Sequence, residues 1–164
     1  MKQCKQLKTI DLSKYDIKEV KTDYNQTRCF YNNMLTTYGR ILEDILRIEY
    51  NNKSDLKENK SHLIAEDIII NRKKCNMKAI NCEMKSIDAD LENMINYYIE
   101  IDFCKYLLFS LRIDNQVYSF IMKWSFAKQF ILKFGVKEHS KIRIKDNSNK
   151  TRQQLMLKWI KENM

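Results

Sequence analysis

The sequence predicts a mainly α protein with a small α+β C-terminal region: long helices with heptad seams, then a strand-rich head closed by a C-terminal helix. Three observations carry this. The 164 residues contain no proline and only two glycines, Gly39 and Gly135, so few breaks interrupt a helix. Apolar residues recur at Met77, Ile80, Met84, Ile87, Leu91, Met94, Tyr98 and Ile101, alternating steps of three and four, which is a heptad seam. After Ile101 the period shortens toward two, as in half-buried strands.

Taken in order, residues 1–22 read as a polar arm or short helix carrying Ile10, Leu12, Tyr15, Ile17 and Val20. Residues 23–105 read as a helical hairpin or coiled-coil rod. Its first helix, Asp23 to Tyr50, places Tyr24, Thr27, Tyr31, Met34, Tyr38, Ile41, Ile45 and Ile48 at the same three-four spacing. NNKSDLKENK, residues 51–60, is a polar loop, and Ser61 can cap the helix that follows. An apolar cluster, Leu63 to Ile70, then precedes the basic run NRKKC. The two seams can fold on each other, or each can pair with another chain. Acids at Glu83, Asp88 and Asp90 flank the second seam, so a partner presenting lysines suits it better than an identical copy, which points to a heterodimer.

Residues 106–164 read as a basic α+β head. YLLFSLRID, NQVYSFIMKWSF, QFILKFGV and KIRIKD are four β-rich runs, with Asp114-Asn115 turning the first hairpin. The competing reading makes Gln116 to Phe134 one helix and the whole chain an all-α bundle. NSNKTRQQLMLKWIKEN reads as the closing helix, with Leu155, Met156, Trp159 and Ile160 on one face and Ser148 or Asn149 as its cap.

The formal net charge of +9 is unevenly placed: residues 106–164 hold twelve Lys and Arg against four acids, and residues 1–105 balance 18 basic with 17 acidic residues. Lys141, Arg143 and Lys145 alternate as on one strand face, and Lys150, Arg152 and Lys158 follow on the closing helix, a surface suited to phosphates or an acidic peptide. The aromatics Tyr118, Trp124, Phe126, Phe130 and Phe134 lie within apolar runs and are expected in the core.

Catalytic patterns are missing from the sequence. No glycine-rich phosphate loop occurs, and His62 and His139 stand in polar surroundings without partners at a known spacing. Glu43-Asp44 and Glu66-Asp67 are adjacent acids, about 100° apart around a helix, and read as solvated faces. Cys4, Cys29, Cys75, Cys82 and Cys104 are odd in number and scattered, as reduced thiols are. No cofactor or metal is implied. No run of about 18 apolar residues and no signal peptide is present, so a nuclear or cytoplasmic protein without membrane association is expected.

The order of seam, then strands, then closing helix, with the junction CKYLLFSLRIDNQVYSF (Cys104 to Phe120), resembles the inner subunits of the four-subunit kinetochore complex. Those subunits carry a coiled coil and a head of the RWD type. The resemblance covers residues 77–164 and implies an obligate heterodimer whose paired heads bind a helix of a centromere-anchored receptor. The residues themselves suggest a non-enzymatic adaptor that pairs through its helix and docks an acidic or helical protein through the basic head. The alternatives are a nucleic-acid-binding protein using the same basic region and an all-helical intracellular protein-interaction bundle.

Overall fold

The computed structural model of the chain describes residues 2–21, 27–50, 68–81, 104–134 and 149–164. Nine strands and three α-helices occur among them: β1 (Cys4–Gln6), β2 (Ile10–Asp11), β3 (Lys18–Lys21), β4 (Thr27–Tyr31), β5 (Met34–Thr37), α1 (Tyr38–Glu49), β6 (Ile68–Ile70), β7 (Lys73–Asn81), β8 (Tyr106–Ile113), β9 (Gln116–Lys123), α2 (Trp124–Phe134) and α3 (Asn149–Asn163). The architecture is therefore α+β. It replaces the mainly α fold with long heptad helices that the sequence suggested.

The central sheet has the order β1-β9-β8-β7-β6, with β2 also on β9. β7 and β8 run parallel and the other neighbours antiparallel. The three-residue break between β1 and β2 keeps contact with the sheet, because the Leu7 amide donates to the Ser119 carbonyl at 2.8 Å. A second sheet, β3-β4-β5, is an antiparallel meander.

Both faces of the central sheet are covered. On one face Leu107, Phe109, Leu111, Phe120 and Met122 meet Trp124, Phe126, Ala127, Phe130 and Ile131 of α2, and Met156 and Ile160 of α3. On the other, Ile68, Ile70, Cys75, Met77, Leu108, Val117 and Ile121 meet Ile41, Leu42, Ile45 and Leu46 of α1, with Cys29 and Tyr31 from the meander. A strand buried on both faces reads as a continuous apolar run, which is why YLLFSLRI shows so little alternation.

The runs YLLFSLRID and NQVYSFIMKWSF form strands over Tyr106–Ile113 and Gln116–Lys123, joined by the turn at Asp114-Asn115, although Trp124 to Phe126 of the second run open α2, and the closing helix forms as α3. Four other expectations need correction. The expected helix from Asp23 to Tyr50 is broken at Asn32-Asn33, whose φ angles of 49° and 62° are left-handed. Asparagine tolerates that region and makes a two-residue hairpin turn. Period-two burial then governs β4, with Cys29 and Tyr31 inside and Phe30 outside, and only Tyr38–Glu49 is helical.

The helical seam fails in the same way at its start. Met77 and Ile80 lie in β7, in register with Leu108 and Leu111 of β8, so the three-residue step between them is not a helical one. Met84, Ile87, Leu91, Met94, Tyr98 and Ile101 lie outside the described residues, as do the loop 51–60 and KIRIKD. QFILKFGV was expected as a strand, yet its first six residues end α2. Alternation would put Phe130 and Leu132 on one face, whereas Phe130 is fully buried and Leu132 is 56% exposed. The spacing Ala127, Phe130, Ile131, Phe134 obeys the helical period instead. Finally, the N-terminal residues, read as an arm or short helix, contribute β1, β2 and β3 together with a single 3-10 turn at Leu12–Lys14.

Asp44 also departs from expectation. It is fully buried, because α1 is wedged between the central sheet and the meander and presents more than one flank to protein. Tyr31 lies within its field: burial, then the Asp44 charge, raise the Tyr31 hydroxyl pKa above its ordinary value.

The C-terminus of α1 is tied to the N-terminal segment by Glu49. Its carboxylate accepts from Tyr15 Oη at 2.6 Å and pairs with Lys8 Nζ at 2.7 Å and Lys14 Nζ at 3.7 Å. The Lys8 and Tyr15 hydrogen bonds hold the Glu49 carboxyl below its usual range, while burial and Glu49 push the Tyr15 phenol well above its own. The Glu49 contribution is thus present above the unfolded carboxyl pKa of about 4.3 and lost as pH falls through the lower folded value. The Tyr15 contribution is complete below about pH 10 and lost at higher pH. Urea titrations should show wild-type stability falling below about pH 5, with Glu49→Gln costing about 1.5–3 kcal/mol at neutral pH and flattening that acid limb.

Candidate functional site

The cations singled out in the sequence do not assemble into one described surface. Lys141, Arg143 and Lys145 lie outside the described residues, and Lys150 and Arg152 are in the first turn of α3. Lys158 is exposed on α3 and pairs along the helix with Glu162 at 3.9 Å, an arrangement of small energetic value. The aromatics behave as expected: Phe130 stacks within 4.6 Å of Phe109, and Trp159 packs on Phe126 at 5.7 Å and on Phe134 at 6.1 Å.

A different basic surface is built by the register of the central sheet. Cys75 is aligned with Tyr106, Tyr106 with Lys123, and Met122 with Cys4. The turn Asn71-Arg72, the start of β7, the start of β8, the end of β9 and the start of β1 therefore share one end of the sheet. Across these segments stand Lys2, Lys5, Arg72, Lys73, Lys74, Lys105 and Lys123, the segments themselves carry no acid, and Lys128 joins them from α2, lining one cavity with Lys105. Three inter-strand gaps of about 4.8 Å make the row from β7 to β1 about 14 Å wide.

The opposite end has a different character. Asp114 turns the β8–β9 hairpin there, Asp11 aligns with Gln116, and the buried Arg112 pairs with Glu19 at 3.6 Å and donates from Nε to the Asp114 carbonyl. Charge is thus segregated along the strands.

Tyr106 stands at the middle of the basic end. Half-buried, it rests its inner edge on the apolar cluster under α1. Lys73 Nζ lies 5.9 Å and Lys105 Nζ 5.7 Å from its ring centroid, close enough for cation–π attraction. Beside it opens a cavity of about 650 Å³ lined by Cys104, Lys105, Trp124, Ser125 and Lys128. Ser125 Oγ donates to Gln3 Oε1 at 3.1 Å, fixing the N-terminal segment against α2.

Two features show that this end is held against local cost. Cations within a Debye length of about 8–10 Å repel one another, and gathering them opposes folding slightly. Arg72 also adopts φ 62°, next to Asn71 at 50°, at a turn position where glycine or asparagine is favoured. Of these residues only the run NRKKC stood out in the sequence. The others are single lysines, brought together by strand pairing.

The thiols take no part in this polarity. Cys4, Cys29 and Cys75 are buried, and burial pushes the Cys4 thiol up to about 12 and Cys75 up to about 11, so these two stay protonated at neutral pH. Among the described residues, no group of three His, Cys, Asp or Glu side chains converges as a metal site, and no helix is long and apolar enough to cross a membrane. No protein-family model, no curated protein and no solved structure matches the chain.

Proposed function

We propose that the protein binds nucleic acid, without transforming it, by docking a phosphate backbone on the basic end of the central sheet. The observation that carries this is the convergence of eight cations from separate segments on one sheet end. Phosphate backbones attract such a surface without regard to sequence, releasing counterions as they bind.

An acidic protein is the competing partner, and the composition of the surface argues against it. Protein–protein interfaces are centred on exposed apolar and aromatic anchors, whereas nucleic-acid interfaces are more polar and far more positive. Of the large exposed hydrophobics, Phe30, Leu35, Ile48, Leu132, Leu155 and Met164 belong to other elements than those that build this end, where the half-buried Tyr106 and the exposed Ile69, opposite Lys74, are single apolar side chains among the cations.

Fluorescence anisotropy with a labelled oligonucleotide tests the proposal. Affinity should fall roughly tenfold or more between about 50 and about 200 mM salt. A matched acidic peptide should bind far more weakly. Tight peptide binding without oligonucleotide binding would transfer the surface to an acidic protein partner.

Arg72 supplies a finer test, since its two roles oppose each other. Arg72→Gly should raise stability by about 1 kcal/mol by relieving the left-handed backbone. The same substitution should weaken oligonucleotide affinity a few-fold, so thermal melts and binding titrations of one variant move in opposite senses.

A further inference from the structure

We infer that the nucleic acid taken by this surface is single-stranded, with one base seated on the Tyr106 ring; this rests on the reading of the basic end given above. The row of cations is about 14 Å wide, less than half of the roughly 34 Å turn of a duplex, so it meets only a few phosphates of any ligand. Affinity then needs a second source. Tyr106 provides one: a partly exposed aromatic ring at the centre of the row, packed against the α1 cluster.

The faces of bases in a duplex are covered by their neighbours, and only an unpaired base can lie against an aromatic side chain. Lys73 and Lys105 hold their ammonium groups over the ring, each within 6 Å of its centroid, so a base that takes a face of the ring displaces them toward its flanking phosphates. Lys123, in register with Tyr106 on the neighbouring strand, extends the phosphate track toward β1. Trp124 does not serve as a platform, because at the first position of α2 it is buried against the sheet.

The test compares an oligothymidylate with a duplex of equal length, by anisotropy at fixed low salt, for wild type, Tyr106→Phe and Tyr106→Leu. Stacking of one base contributes about 1–3 kcal/mol, so wild type should prefer the single strand by roughly 5- to 150-fold. Tyr106→Phe should keep that preference and Tyr106→Leu should lose it. Photocrosslinking of wild-type protein to a bromouracil oligonucleotide, mapped by mass spectrometry, should mark Tyr106 without need of a variant. Equal binding of duplex and single strand, or crosslinks that avoid Tyr106, would overturn the inference and leave the docking proposal standing. Absence of salt-dependent binding to either oligonucleotide would overturn both.

Discussion

Reversing Lys73, Lys105 and Lys123 to glutamate together should weaken oligonucleotide binding by about a hundredfold at low salt, six units of charge at about 0.5 kcal/mol each. The fold should tolerate the change. Among the described residues none of the three pairs with a carboxylate, two hold cation–π contacts with Tyr106, and removing the mutual repulsion of the lysines offsets that loss. Melting temperature should therefore stay within a few degrees of wild type. The control is Lys158→Glu on α3, which pairs with Glu162 along the helix and belongs to none of the segments that build the sheet end. Its affinity should change by less than about threefold. A triple variant that binds normally, or a Lys158 variant that fails to bind, would remove the sheet end from the account.

The second large effect concerns the core. Phe130 is fully buried and packs on Phe109, Phe134 and Trp159 at centroid distances of 4.6, 5.3 and 6.0 Å. Phe130→Ala should cost about 3–5 kcal/mol, through lost transfer energy plus the cavity left behind. Against a typical total of about 5–15 kcal/mol, that is enough to shift the urea midpoint severely or to unfold the protein. Leu132→Ala, two residues away and exposed on the same helix, should change stability by less than about 0.5 kcal/mol. The contrast tests the helix itself, because a strand would place the two side chains on one face and make the costs similar.

The same pair of residues shows where sequence reading succeeds and where it stops. The β8–β9 hairpin was legible because Asp114-Asn115 is a turn flanked by β-rich runs, and α3 because Met156, Trp159 and Ile160 fall at helical spacing. Steps of three and four also occur by chance in strands. In β4 they masked the alternating burial of Cys29, Phe30 and Tyr31, and at Met77 and Ile80 they fell within β7; only the left-handed turns at Asn32-Asn33 and Asn71-Arg72 reveal the hairpins. Without a glycine or proline, those turns lacked their usual signal.

The site was less legible than the fold. Residues 1–105 are nearly neutral in total, which hides that Lys2, Lys5 and Arg72 to Lys74 lie at one end of a sheet. Strand register, a long-range property, brings them beside Lys105 and Lys123. The charge excess beyond Tyr106 pointed to Lys141, Arg143, Lys145, Lys150, Arg152 and Lys158, yet sequence distance alone could not show which cations share a surface. Tyr106 gave no signal either, since in sequence it is one more apolar residue opening a strand.

Lysine acetylation footprinting with and without a bound single-stranded oligonucleotide tests the central claim most directly, because it locates the surface on unmodified sequence. Binding should protect Lys73, Lys105 and Lys123 while leaving Lys14, Lys158 and Lys161 as reactive as in the free protein. Protection confined to the lysines between Lys137 and Lys161, with Lys73, Lys105 and Lys123 still reactive, would contradict the account.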